Sequence, residues 1–290
     1  MATNPIDTFF RQKKIFLSRM KKVDKKKKTK LILIIMANTL DPEIGKGCRE
    51  DIQSIRHMFD KMARHMKFNF LELIIKGRAY SKRNIVDTIE SLTPGSDDIV
   101  VFYYSGHGFR FKKDEKRRFP QVDLRSIPSS NKISVFNKNT HNLSELYEKI
   151  KKRGARLNIV IGDCCNNRIK FKREFKGGDD SVRSAKRPRM KINTHMCKKL
   201  FCHATASILV AAADRGQFAV SDEKLGSIFT FNFTNNLKIL LNTHNNSTQE
   251  VLWNKLLQET KAMTFKLSKT YDIGKGKPGD QKAIFKILSK

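Results

Sequence analysis

Val100-Val101-Phe102-Tyr103-Tyr104-Ser105-Gly106-His107-Gly108 is an apolar run that stops at a histidine between two glycines. A second run, Leu157-Asn158-Ile159-Val160-Ile161-Gly162-Asp163-Cys164-Cys165, stops at a cysteine. Apolar runs of this length without alternation are typical of strands buried on both faces of a parallel sheet. Such sheets bind ligands at the carboxyl ends of their strands. If the two runs form neighbouring strands, His107 and Cys165 meet at one edge as a cysteine-histidine dyad.

The dyad has a definite chemistry. A thiol with an unperturbed pKa near 8.5 is only a few per cent ionised at neutral pH, so it needs a base to become a nucleophile. His107 can accept the proton and then donate it to a leaving amine. Cys164 points to the other side of the strand by alternation and is expected to be a packing residue. Taken alone, a histidine after a strand and a cysteine ending a buried run are usually structural.

The rest of the pattern alternates strands and helices. Residues 31–35 and 68–75 read as strands, and helices with apolar residues at helical spacing follow each of them. This order predicts right-handed crossovers and a mostly parallel sheet with helices on both faces. Residues 206–213 and 282–288 read as further strands.

The motifs that end the two apolar runs resemble those of a known family. Ser105-Gly106-His107-Gly108 and Asp163-Cys164-Cys165 are similar to the histidine and cysteine motifs of the caspase-like cysteine peptidases, specifically the metacaspases. The resemblance implies an α/β fold, a caspase-like three-layer sandwich around a mostly parallel six-stranded sheet. It assigns the nucleophile to Cys165 and implies an oxyanion hole made by the backbone N–H groups of Gly108 and Cys165.

The same resemblance implies a substrate class. The acid of the Asp-x-Cys motif, here Asp163, lines the substrate pocket of metacaspases, and residues 119–123 resemble a stretch that supplies a second acid, here Asp123. Carboxylates in a pocket favour peptides cleaved after Arg or Lys. The segment Gly47-Cys48-Arg49-Glu50-Asp51 resembles the Gly-Cys-x-Asn-Asp stretch of the family, with Glu50 in place of Asn.

Two observations bear on metal binding, the family resemblance and one loosely spaced cluster of His and Cys residues. Metacaspases are commonly calcium-activated, but the segment after Cys165 carries lysines where oxygen ligands would be needed. His195, Cys197, Cys202 and His203 have a spacing at the loose end of zinc sites and lack a distant second half. We therefore assign no metal ligand and no cofactor.

Charge divides the chain into regions. Residues 1–30 carry eleven Lys and Arg against two acids, which predicts a basic mobile extension, although their apolar residues could dock a short helix on the domain. We expect residues 31–290 to form the peptidase domain, with a large part at 31–165, a basic linker at 166–205 and a small part at 206–290. If the pocket accepts Arg and Lys, the linker offers self-cleavage sites at Lys176, Arg183, Lys186, Arg187 and Arg189.

The net charge and the cysteine count limit the classes of function that the chain can have. A net charge of +31 allows nonspecific attraction to nucleic acid or anionic surfaces, and a dedicated nucleic-acid-binding protein is one alternative function. A catalytically silent caspase-like adaptor is the other. Five cysteines, an odd number, favour a reducing compartment, and no apolar stretch is long enough to span a membrane. We therefore expect an intracellular, cytoplasmic monomer that acts on protein or peptide substrates.

Overall fold

The computed structural model describes residues 4–22, 28–114, 116–125, 133–168, 191–244 and 247–289. Strands and helices alternate through most of this part. The strands, in chain order, are β1 (Lys30–Ala37), β2 (Asn69–Ile75), β3 (Ile99–Ser105), β4 (Gly108–Phe109), β5 (Gln121–Asp123), β6 (Thr140–Asn142), β7 (Leu157–Asp163), β8 (Ala206–Ala211), β9 (Ser221–Asp222), β10 (Gly226–Ser227) and β11 (Ile284–Ser289).

The helices are α1 (Pro5–Lys21), α2 (Gly45–His65), α3 (Lys82–Glu90), α4 (Ile133–Lys138), α5 (Leu143–Lys151), α6 (Thr194–Cys197), α7 (Ile228–Leu241) and α8 (Gln249–Ser268). Helix α6 continues into a π-helical turn at Lys198–Cys202. None of the helices in the described ranges is long and apolar enough to cross a membrane.

One six-stranded sheet organises the chain, in the order β11-β8-β7-β3-β1-β2. All neighbours are parallel except β11, which runs antiparallel to β8. Leu31, Leu33 and Ile35 of β1 pack in the core layer with α2, α6, α7 and α8. Alternate residues pack in the opposite layer with α1, α3 and α5. The predicted mostly parallel sheet with helices on both faces is confirmed.

The amino-terminal segment differs from its predicted mobile state. Residues 5–21 form α1, which begins with Pro5 after the N-cap Asn4, whose side chain accepts the backbone N–H of Ile6. Phe9, Phe16 and Met20 are buried in the apolar layer that α1 forms with α3, α5 and one face of the sheet. Burying side chains of this size stabilises the fold by about 1.5–3 kcal/mol each, which explains why this basic segment docks.

Register sets the place of the functional residues. Ser105, the last residue of β3, lies opposite Asp163, the last residue of β7. The two strands therefore end level with each other at the carboxyl edge of the sheet. Beyond this edge, β4, β5 and β6 form a small antiparallel sheet that carries the chain away from β3.

Candidate active site

His107 and Cys165 line the same cleft, whose volume is about 650 Å³. Each lies two residues beyond the end of its strand, and the Gly106 N–H donates to the Asp163 carbonyl at 3.3 Å. The side chain of His107 is 34% exposed, and Cys165 is half-buried. The two residues that the sequence predicts to act as a dyad therefore line one cleft.

The imidazole of His107 contacts a carboxylate that the sequence analysis did not assign. His107 Nε2 lies 3.0 Å from Asp41 Oδ2. The other carboxylate oxygen of Asp41 accepts the backbone N–H groups of Glu43 at 2.9 Å and Ile44 at 3.1 Å. Asp41 is therefore held in place at the side of His107.

This contact shifts the ionisation of both partners. Burial lowers the pKa of His107, but the hydrogen bond and negative charge of Asp41, with the charges of Asp123 and Glu43, outweigh it and raise the pKa above its ordinary value. Burial raises the pKa of Asp41, and its hydrogen bonds from His107 and the backbone outweigh that effect and lower it. The pair therefore favours an imidazolium beside a carboxylate.

Cys165 contacts the chain on the opposite side of the cleft. Its sulfur accepts the backbone N–H of Ala219 at 3.3 Å, and the thiol donates to the Ala219 carbonyl oxygen at 3.7 Å. The first bond favours the thiolate and the second favours the thiol. Ala219 belongs to the segment between β8 and β9, so the small part of the domain contributes directly to the surroundings of the thiol.

Cys164 is placed differently. Its side chain is buried with the apolar residues of the α1, α3 and α5 layer. Burial raises the pKa of the Cys164 thiol well above its ordinary value. Gly108 packs so closely here that a Cβ at this position would collide with the Cys164 side chain and the Cys165 carbonyl oxygen. A glycine at 108 is thus required by the turn around both cysteines.

Among the buried acids that line the cleft, Asp51 from α2 and Asp163 from β7 lie close together. Ser227 bridges them, because its N–H donates to Asp51 at 2.8 Å and its hydroxyl donates to Asp163 at 2.7 Å. Thr230 also donates to Asp163, at 2.6 Å, and Ser105 donates to Asp51 at 2.7 Å. Asp163 also accepts the hydroxyl of Tyr103 at 3.4 Å, whereas Asp51 keeps a further acceptor position, since a carboxylate can accept about four hydrogen bonds.

The close approach of this loop depends on Gly226. Its φ is +78°, and an added Cβ would collide with the carboxylate of Asp51. Only glycine adopts this conformation without strain and leaves room for the acid. Gly226 thereby places Ser227 between the two carboxylates.

Both acids resist ionisation. Burial raises the pKa of Asp163 to about 6, although hydrogen bonds from Thr230, Ser227 and Tyr103 favour the carboxylate. Burial and the nearby charge of Asp163 raise the pKa of Asp51 well above its ordinary value. A cation that enters the cleft would relieve both effects by neutralising the charge.

Asp123 lies beside His107, whose carbonyl oxygen accepts the Asp123 N–H at 2.9 Å, but it does not line the cleft. Its carboxylate forms a buried ion pair with Arg125, with Oδ2 at 2.6 Å from the guanidinium. The Asp123 carbonyl accepts the hydroxyls of Tyr80 and Tyr104. Asp51, by contrast, lines the cleft together with Asp163. The carboxylate of Asp123 is already neutralised by a cation two residues away.

The comparison with protein families agrees with this geometry. The family model of the caspase domain matches residues 29–279. The chain belongs to the caspase family. Membership implies cysteine peptidase activity in general terms, and the matched residues include His107, Cys165, Asp51, Asp163 and Ala219. A search of the curated proteins finds no match for this caspase-family chain.

Two parts of the sequence-based site remain outside this geometry. The self-cleavage candidates of this caspase-family protein, Lys176, Arg183, Lys186, Arg187 and Arg189, lie outside the described residues. In the described part of the chain, no three His, Cys, Asp or Glu side chains form a group that could hold a metal ion. Cys197 of the cluster considered for zinc is buried in the core layer of α2, α7 and α8.

The roles of Asp41 and Asp51 are not predicted from the sequence. Asp51 ends the Gly-Cys-x-x-Asp stretch, which was noted as a resemblance without a role. Asp41 follows β1, and β1 pairs with β3 so that Ala37 lies opposite Ser105. The search for polar residues at carboxyl strand ends, applied to β3 and β7, would have found Asp41 if it had been extended to β1.

Proposed function

We propose that this protein is a cysteine endopeptidase of metacaspase type that cleaves peptide bonds after Arg or Lys. The observation that carries the proposal is the pair of buried carboxylates, Asp51 and Asp163, at the base of the cleft that Cys165 and His107 line. A nucleophile beside an anionic pocket suits a peptide whose cleaved residue is a cation.

The reaction follows from the groups in the cleft. His107 removes the proton of the Cys165 thiol, and the thiolate attacks the carbonyl carbon of the scissile bond. The N–H groups of Gly108 and Cys165 stabilise the negative oxygen of the tetrahedral intermediate. The imidazolium then donates its proton to the leaving amine, and a thioester remains on Cys165. Water, deprotonated by His107, hydrolyses the thioester and releases the free carboxylate product.

Substrate choice depends on charge. A guanidinium or ammonium between Asp51 and Asp163 forms charge-assisted hydrogen bonds in a site from which water is largely excluded. An acidic side chain in the same place would add negative charge beside two buried acids whose pKa values are already raised, which disfavours the complex strongly. Arg and Lys should therefore be accepted, and Asp rejected.

The proposal is tested with fluorogenic peptides that differ only in the residue before the cleaved bond. Arg, Lys, Asp and Asn cover both charges and a neutral isostere of the acid. We expect hydrolysis of the Arg and Lys peptides and none of the Asp peptide above the level of the Cys165→Ala variant. A preference for Asp or Asn would refute the proposed specificity.

The acidic pocket predicts a pH dependence of KM for Arg peptides. Burial raises the pKa of Asp163 to about 6 in the empty cleft, so lower pH removes the charge that pairs with the substrate. We expect KM to rise below about pH 6, by up to about tenfold per pH unit. Folding raises the pKa of Asp163, so protonation of its carboxylate stabilises the folded protein as the pH falls. Unfolding at this site therefore does not explain the rise in KM at low pH.

This dependence is measured as KM against pH, with thermal unfolding recorded at each pH. The Asp163→Asn variant is the control, because it lacks the titrating carboxylate and should show a high KM without the transition near 6. A KM that stays constant between pH 5 and 7 in the unaltered protein would contradict the assignment of the pocket.

We also propose that the basic linker is a substrate of its own domain. The candidates Lys176, Arg183, Lys186, Arg187 and Arg189 follow Cys165 closely in the chain, and tethering gives them an effective concentration on the order of millimolar. Intact mass measured over time should show fragments ending at these residues in the unaltered protein and a whole chain in Cys165→Ala. A chain that stays whole while fully active would exclude self-processing as an activation step.

A further inference from the structure

Asp41 is fixed from several directions before it meets His107. The Asp41 carbonyl accepts the N–H of Gly45 at 3.0 Å, and Oδ1 accepts the N–H groups of Glu43 and Ile44. These bonds tie the residue into the turn that starts α2. Its side chain is 1% exposed, so the carboxylate is desolvated and presents Oδ2 to the imidazole.

The position of the contact decides the state of the imidazole. A carboxylate only accepts hydrogen bonds, so a neutral His107 must carry its proton on Nε2 to make the 3.0 Å bond. Nδ1 then has the lone pair and is the nitrogen that can receive a proton from a thiol. The carboxylate thus selects one tautomer and one orientation of the ring.

We propose that Asp41 is a positioning residue that completes a Cys165-His107-Asp41 arrangement, holding His107 as the Nε2–H tautomer and stabilising its imidazolium form. The inference rests on the proposed peptidase function for its consequence in turnover, and on the geometry alone for its consequence in thiol ionisation. Asp41 acts through His107.

A purely structural role of Asp41 would have different consequences. The Oδ1 bonds to Glu43 and Ile44 serve the turn, and an asparagine oxygen can accept them equally well. The Oδ2 bond serves His107, and an asparagine NH₂ placed there donates instead of accepting. Asp41→Asn therefore keeps the turn while it favours the Nδ1–H tautomer, in which Nδ1 cannot accept the thiol proton.

The first test measures alkylation of Cys165 by iodoacetamide as a function of pH, with the modified residue identified by peptide mapping. The charged groups that face His107 are Asp41, Glu43 and Asp123. Without the Asp41 charge the imidazolium supports the thiolate less, so the midpoint should move towards the ordinary thiol value near 8.5. Near pH 6.5 we expect Asp41→Asn to be alkylated at about one tenth of the rate of the unaltered protein, or more slowly still. Near pH 9.5 the two rates should be equal.

Glu43→Gln is the matched control. Glu43 is exposed beside the cleft and also raises the pKa of His107 through its charge, but its side chain makes no bond to the imidazole in the described part of the chain. It should shift the alkylation profile much less than Asp41→Asn. Equal profiles for the two variants, or no shift in either, would overturn the proposal, because the contact would then act only as one of several distant charges.

A second measurement needs no substitution at Asp41. Nitrogen-15 NMR of the histidine rings in Cys165→Ala reports the tautomer of neutral His107, and the Nε2–H form is expected. The Nδ1–H form would overturn the proposal. Both measurements work without peptide hydrolysis, so they separate this inference from the proposed function. If peptides are cleaved, Asp41→Asn should lower kcat on the order of 10²-fold or more with little change in KM.

Discussion

Replacing Cys165 with alanine is expected to abolish peptide hydrolysis, whereas replacing Cys164 is expected to leave most of it. The two residues are adjacent, but only Cys165 is partly exposed in the cleft, within 3.3 Å of the Ala219 N–H. Cys164 is buried with apolar residues, and burial raises the pKa of its thiol well above the ordinary value. A thiol in that environment is neither accessible to a peptide nor ionised near neutral pH.

The expected magnitudes separate the two variants widely. Loss of a covalent nucleophile lowers kcat by about 10⁴-fold or more. Cys164→Ala removes one buried sulfur, which costs roughly 0.5–3 kcal/mol of folding stability and affects turnover only indirectly. Hydrolysis of an Arg peptide and thermal unfolding of both variants decide the matter. Full activity in Cys165→Ala with loss in Cys164→Ala would show that the register at the end of β7 is wrong.

Neutralising the acidic pocket is expected to remove the preference for basic substrates. In Asp163→Asn and in Asp51→Asn, the guanidinium of an Arg substrate loses one of its two buried carboxylates. Removing one partner of a desolvated, hydrogen-bonded charge pair costs about 2–5 kcal/mol, so kcat/KM for Arg peptides should fall by at least about 30-fold. Hydrolysis of peptides with neutral residues at the cleaved position should change far less.

Glu223→Gln supplies the control for this experiment. Glu223 also lines the cleft, but its side chain is 67% exposed and pairs with Lys46 at 2.9 Å. Water screens such a rim charge, so kcat/KM should change only by a factor of about two. Retention of the Arg preference in Asp163→Asn, or an equal loss of kcat/KM in Glu223→Gln, would mean that Asp51 and Asp163 do not determine the substrate preference.

The central strands could be predicted because their signal is local. Residues 100–105 and 157–163 are apolar without alternation, and each run ends at a polar residue, so both the burial and the end of the strand follow from the chain itself. The structure confirms this prediction, with β3 beside β7 and Ser105 level with Asp163. The shared edge then follows from the geometry of parallel strands.

The sequence does not decide which acid lies beside Asp163 in the cleft. Asp123 and Asp51 both lie in stretches that resemble family motifs, and the choice between them depends on neighbours in space. Arg125 neutralises Asp123 within a buried pair, whereas Ser227, far along the chain, brings Asp51 against Asp163. Contacts over such separations appear only when α2 and α7 pack on the same face of the sheet.

Helix α1 shows how burial can outweigh charge. The density of lysines predicts a mobile extension because like charges repel, but exposed charges are screened over about 8 Å at physiological ionic strength. Phe9, Phe16 and Met20 lie on one side of the helix, and their burial offsets the remaining repulsion. The sequence analysis considered this docking only as an alternative, because the strand that receives the helix could not be identified from local pattern.

The central claim, that Cys165 attacks the bond after a basic residue held by Asp51 and Asp163, is tested most directly by covalent trapping. Two peptidyl acyloxymethyl ketones that differ only in Arg or Asp at the terminal position would be incubated with the protein, and the modified residue identified by mass spectrometry. The account predicts a thioether on Cys165 with the Arg reagent, formed at least about tenfold faster than with the Asp reagent and slowed by Asp163→Asn. Labelling of another cysteine, or faster labelling by the Asp reagent, would contradict it.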